Sequence, residues 1–93
     1  MVRATWNGEM IAESSDTVVV EGNHYFPISS VKPGTLSEST HSSVCPWKGK
    51  ASYFNVMAKG EVNANAAWTY PTPSAAAAQI AGRIAFWKGV TVS

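Results

Sequence analysis

Glycine and proline punctuate this chain every few residues, and the gaps between them leave room mostly for short extended segments. Asn7-Gly8, Lys59-Gly60 and Lys88-Gly89 are turn dipeptides, while Pro27, Pro33-Gly34, Pro46 and Pro71-Thr72-Pro73 stop or bend the runs between them. Asn-Gly accepts positive φ at both central positions, which is what a tight antiparallel hairpin demands. Several of the intervening runs are β-branched or aromatic. Thr17-Val18-Val19-Val20-Glu21 is too short for a globular helix and well suited to a strand. The pattern predicts a mainly β, antiparallel domain.

In chain order, Val2 to Ser14 reads as a hairpin turning at Asn7-Gly8, and Thr17 to Glu21 as a strand. Gly22-Asn23-His24 reads as a turn, and Tyr25-Phe26 as a short strand stopped by Pro27. Ser29-Ser30-Val31 suits a single helical turn ended by Pro33-Gly34. Thr35 to Glu38 reads as a short strand and Ser39 to Ser43 as a polar loop. Val44-Cys45 closes a strand at Pro46, whose missing N–H places that point at an edge or a bulge. Lys50 to Met57, Glu61 to Asn63, Ala66 to Tyr70, Arg83 to Trp87 and Val90 to Val92 complete the strands, with Ala58-Lys59-Gly60 as a hairpin turn. Ile84 and Phe86 share one face of their strand; Ala85 and Trp87 share the other. Ala75 to Ala81 has high helix propensity, with Ser74 placed to cap it and Gly82 to end it. With 93 residues, the chain is expected to form a single domain over 1–93 with one compact core.

Seven basic and six acidic residues are scattered singly, for a net charge of +1. A basic run or stripe, the electrostatic footprint of a nucleic-acid partner, is missing. No apolar run reaches the length of a membrane span, and Met1 to Trp6 lacks the apolar core of a signal peptide. A lone cysteine cannot form an internal disulfide. The expectation is a cytoplasmic protein with neither nucleic acid nor membrane as partner.

Chemistry concentrates in Val44-Cys45-Pro46-Trp47-Lys48-Gly49, which holds the only cysteine and one of four tryptophans. Cys45 is the candidate nucleophile, since Lys48 three residues on, or His24 or His41, can supply the thiolate its counter-charge or base. The plainer reading is a packed cysteine acting as a small hydrophobe. Lys48 sits in a turn beside Gly49 and suits a carboxylate or phosphate as a point charge, or else is simply solvated. Trp47, Trp68, Tyr70, Phe86 and Trp87 serve a core, or line a concave site that stacks on a planar ligand or cages a cation. Trp68 and Tyr70 lie two apart, hence on one face. His24, His41 and Cys45 make at most a weak metal-ligand pattern, and no metal or cofactor is expected. No paired carboxylates or phosphate-cradling glycine loop stand out.

Taken together, Trp6-Asn7-Gly8 with Ile11-Ala12-Glu13-Ser14, Val20 through Pro27, Cys45-Pro46-Trp47-Lys48-Gly49, Ala66-Ala67-Trp68 with Tyr70-Pro71, and Ile80 through Gly82 with Ala85-Phe86-Trp87 resemble the small bacterial domain-of-unknown-function family four-two-seven. The resemblance covers nearly the whole chain, and the cysteine-proline-tryptophan-lysine-glycine piece is its most specific part. It implies a β-tent-like fold of coiled antiparallel sheets leaning together, and no known reaction. A nucleotidyltransferase name attached to the family is a label here, because the chain's scattered acids do not form the carboxylate cluster that holds magnesium. β-Tent relatives with two paired-cysteine knuckles bind zinc; one cysteine cannot build that site.

The leading expectation is a domain that binds a small polar or anionic molecule. Its pocket would combine Asn23, Cys45, Trp47, Lys48, Tyr53, Trp68, Tyr70 and Phe86, with Lys48 holding the polar group and the rings forming the apolar wall. The alternatives are an enzyme or redox-thiol protein dependent on Cys45, and an interaction module anchored by exposed tryptophans.

Overall fold

The computed structural model describes residues 1–93. Nine strands form three antiparallel sheets, and tight turns with two successive positive φ values set their register. Asn7-Gly8 (53° and 73°) joins β1 (Val2–Trp6) to β2 (Glu9–Ser14). Glu21-Gly22 (53° and 79°) joins β3 (Val18–Val20) to β4 (Asn23–Tyr25). Lys59-Gly60 (52° and 78°) joins β6 (Gly49–Ala58) to β7 (Glu61–Thr69). Such turns follow the right-handed twist of the flanking strands, so the strands pair without splaying. Lys88-Gly89 makes a similar turn that carries the chain from β8 (Ile84–Phe86) to β9 (Thr91–Val92) in a different sheet.

The largest sheet runs β5-β6-β7-β8, with β5 spanning Leu36–Cys45; the second runs β2-β1-β9, and the third is the β3-β4 hairpin. Phe26 and Ile84 exchange both backbone hydrogen bonds, at 2.7 and 2.9 Å, which ties the small hairpin to the edge of the largest sheet. Two buried clusters result. Ala4, Ile11, Phe26, Val56, Ile84 and Phe86 belong to the first. Tyr25, Ala51, Trp68, Tyr70, Ile80 and Ala85 belong to the second. The two-residue period of a strand sends Ile84 and Phe86 to one cluster and Ala85 to the other.

The expected mainly β, antiparallel class is what the chain adopts, and four local expectations need correcting. First, Ser39 to Ser43 is not a loop: it continues β5 as an edge strand, with a register shift between Glu38 and Ser42. The Ser39 hydroxyl accepts the His41 N–H at 3.1 Å inside that irregularity, so the polar side chains satisfy a bulged edge rather than breaking it. Second, the turn before Tyr25 is Glu21-Gly22, and Asn23 and His24 are already in β4, paired with Val20 and Val19. Third, Glu61 to Thr69 is one strand with a bulge, where Asn65 takes φ 59° and its N–H is accepted by the Asn55 side chain at 3.0 Å. Fourth, the alanine run is not an α-helix. Ala75–Ile80 forms 3₁₀ turns broken by non-helical backbone at Ala77. The eight residues between Pro73 and Gly82 are too few to repay helix nucleation, and burial of Ala77 and Ile80 decides the path instead.

Phe26 is fully buried and meets Phe86 edge-on, with ring centroids 5.6 Å apart. Phe26→Ala is expected to lower unfolding free energy by about 3–5 kcal/mol, read from the urea midpoint. A loss below about 1 kcal/mol would show that the Phe26 ring does not anchor the first cluster.

Candidate functional site

Pro46, Trp47 and Lys48 form the loop between β5 and β6, closed by the Cys45–Gly49 pair. Gly49 takes φ 114°, and a Cβ there would lie 3.6 Å from backbone atoms of Thr72 and Pro73. The segment after β7 therefore crosses directly over the loop. It also fastens it: the Ser74 N–H donates to the Lys48 carbonyl at 2.8 Å, and the Ser74 hydroxyl donates to the Trp47 carbonyl. Ser74 thus pins a loop; its side chain caps no helix.

This backbone path turns Lys48 inward, leaving the residue only 6% exposed. Its Nζ lies 5.5 Å from the centroid of the Trp47 ring and 5.4 Å from that of Tyr70, and it donates to the Glu21 carboxylate. The Trp47 indole N–H reaches the other Glu21 oxygen at 3.4 Å. Glu21 comes from the tip of the β3–β4 hairpin, and its side chain is 52% exposed. One half-exposed carboxylate and two ring faces therefore surround a buried ammonium.

Beside it opens a cleft of about 280 Å³ lined by Asn23, Lys48, Tyr53, Trp68, Tyr70 and Trp87. Three of its four rings are hydrogen-bonded to residues outside the lining. Trp68 donates its indole N–H to the Tyr25 hydroxyl at 3.1 Å, and Trp87 donates its own to the Asn65 carbonyl at 2.6 Å. The Tyr53 and Ser43 hydroxyls lie 2.9 Å apart. Trp68 and Trp87 meet edge-to-face at 5.6 Å, and Tyr53 lies 6.3 Å from Trp87. Tyr53, Trp68 and Trp87 are thus held by their polar edges, and Lys48 is the only charged residue of the lining.

A protein-family model described as a domain of unknown function (DUF427) matches residues 1–92. The chain belongs to the DUF427 family. The model's nucleotidyltransferase-type name assigns no chemistry to this chain. No curated protein matches it.

Five residues expected at the site, Asn23, Lys48, Tyr53, Trp68 and Tyr70, line the cleft of this DUF427 domain. Three others do not. Phe86 points into the first cluster, because strand alternation places it opposite Trp87. The cleft takes Trp87 instead. Cross-strand register carried that signal: Trp68 pairs with Ala85, two residues before Trp87 and on the same face. Trp47 sits at the rim, 40% exposed, with its ring beside Lys48. Cys45 packs, half-buried, against the second cluster. His24 shares a hydrogen bond with Thr17 at 2.9 Å and His41 packs against Tyr53 with the rings tilted and their centroids 4.5 Å apart, so each ring is engaged elsewhere. No three His, Cys, Asp or Glu side chains gather as a metal site. Glu21 was unreadable as part of the site, since 27 residues separate it from Lys48.

Burial pulls the Lys48 pKa down, but the Glu21 hydrogen bond, with Tyr25 and Tyr70 nearby, outweighs it and holds the ammonium above 10.5. The Lys48 hydrogen bond, then that of Trp47, holds the Glu21 carboxyl below 4.5. Each shift favours the charged form, so the pair is intact from the acid side of neutrality to well above it. A carboxylate with a depressed pKa contributes stability that is present above its unfolded value and lost as pH falls through its folded value. The stability difference between wild type and Glu21→Gln is therefore expected to be constant near neutral pH and to vanish as pH falls below 4.5. Urea unfolding across that range measures it; a difference that persists in full at the acid end would show that the Glu21 charge is not its source.

Proposed function

We propose that this DUF427 domain binds a small polar molecule, seated in the cleft between the Lys48 loop and the rings of Tyr53, Trp68, Tyr70 and Trp87. The observation that carries this reading is the lining itself. Four aromatic side chains and one amide surround a single buried charge, and the polar edges of Tyr53, Trp68 and Trp87 are already hydrogen-bonded. Ligand sites combine an apolar wall with a few fixed polar groups, and a volume of about 280 Å³ suits a molecule of one or two rings. Ring faces bind such a molecule by stacking, while Lys48 and Asn23 orient its polar end. Cys45 takes no part in this binding.

A fragment screen followed through the indole N–H resonances of Trp68 and Trp87 tests the reading. Hits are expected to move both resonances together. Trp87→Ala is expected to weaken them about two- to tenfold, the range for one aromatic contact, and Cys45→Ser to leave affinity unchanged. Hits that move other residues but neither indole would place the site elsewhere.

A further inference from the structure

Glu21 stands where a ligand's anionic group would stand. Its two carboxylate oxygens face different donors, the Lys48 ammonium and the Trp47 indole N–H. Those donors belong to one loop, and that loop is pinned from behind by Ser74. The loop that carries both donors is therefore anchored, while the acceptor reaches it from a separate element. Glu21 is half-exposed and sits at the tip of a hairpin joined by only three residue pairs, at a positive φ of 53°. Two donors on one anchored loop, facing a half-exposed carboxylate, make a carboxylate-binding site that the chain fills itself.

The charge of the cleft selects among ligand classes. Lys48 is its only charged lining residue, and its ammonium already lies over the Tyr70 ring. A cationic guest would meet a like charge at the ring face it needs. An anionic guest meets the ammonium, and an ammonium has three donors, of which Glu21 uses one. Asn23 follows Glu21 by two residues and also lines the cleft, so movement of the hairpin tip opens the ammonium and shifts an amide of the lining together.

We infer that the cleft takes a small planar carboxylate, whose carboxylate displaces Glu21 from Lys48 and Trp47 while its ring stacks against the aromatic wall. This rests on the cleft being a ligand site. Glu21 then acts as an internal competitor, lowering apparent affinity by the fraction of time it occupies the donors. It also keeps the buried ammonium paired when no ligand is bound.

Benzoate and its neutral analogue benzamide serve as probes, titrated into wild type, Glu21→Gln and Lys48→Met while the Trp68 and Trp87 indole resonances are followed. Benzoate is expected to bind Glu21→Gln about three- to tenfold more tightly than wild type, the gain from freeing a self-occupied site. Benzamide is expected to bind both alike. Lys48→Met, which keeps the side-chain volume and removes the charge, is expected to lose benzoate binding and to weaken benzamide far less. This second variant decides the matter if Glu21→Gln does not fold. Benzoate affinity that is unchanged or weaker in Glu21→Gln, or unchanged in Lys48→Met, overturns the inference while benzamide binding leaves the cleft reading standing. Failure of both probes to move either indole in any folded form overturns both.

Discussion

The two hydrogen bonds between Phe26 and Ile84 are the junction on which the rest depends. They join the β3–β4 hairpin to the outer strand of the largest sheet, and strand alternation does the remainder. At the junction the chain sends Tyr25 into one buried cluster and Phe26 into the other. Opposite them, Ile84 and Ala85 divide in the same way. Without this bridge the three-pair hairpin would be too small to stand alone. With it, the hairpin tip reaches the Lys48 loop, and residues far apart in sequence form one site.

Burial of an ammonium is the expensive feature of that site. Removing a charge from water is unfavourable by several kcal/mol even after the surroundings relax. Lys48 recovers part of this from the Glu21 carboxylate and part from the faces of Trp47 and Tyr70. The chain contains its own control. Trp87-Lys88-Gly89 repeats the tripeptide Trp47-Lys48-Gly49, and Lys88 likewise lies over its tryptophan, 5.1 Å from the ring centroid. Yet Lys88 is exposed, whereas Lys48 is buried. The difference lies in what crosses above: the Thr72 to Ser74 backbone covers Gly49, while open space surrounds the Cα of Gly89. Tertiary contact, not the local triplet, makes Lys48 unusual.

Local turn chemistry was readable from sequence because it acts locally. Asn7-Gly8 and Lys59-Gly60 require only that two adjacent residues accept positive φ, and both form the expected hairpins. The antiparallel class and the shared face of Trp68 and Tyr70 follow from equally short-range rules. The misreadings arose where distant contact overrode local preference. The serine-rich stretch became an edge strand because β6 pairs with it, and the alanine run gave up α geometry to bury Ala77 and Ile80. Phe86 and Trp87 were separable by alternation alone, but which face looked toward Lys48 depended on the register between β7 and β8. Glu21 had no local signature at all; its role comes from a hairpin tip folding across to a loop 27 residues away.

The aromatic wall is held by hydrogen bonds within the chain, and a single irregular residue holds its outermost ring. Trp87 is 44% exposed and would otherwise be free to turn. Its indole N–H is instead taken by the carbonyl of Asn65, which the β7 bulge turns out of the ladder by adopting φ 59°. Asparagine tolerates that left-handed conformation better than most residues, and its own side chain accepts the Ser39 hydroxyl from the edge strand. The bulge thus converts a backbone carbonyl into a support for Trp87, and the register shift that follows from it is part of how the cleft is built. A regular β7 would pair that carbonyl within the sheet and leave the indole to find another partner. Rigid ring faces lose little freedom on binding, so contacts made there are retained as affinity.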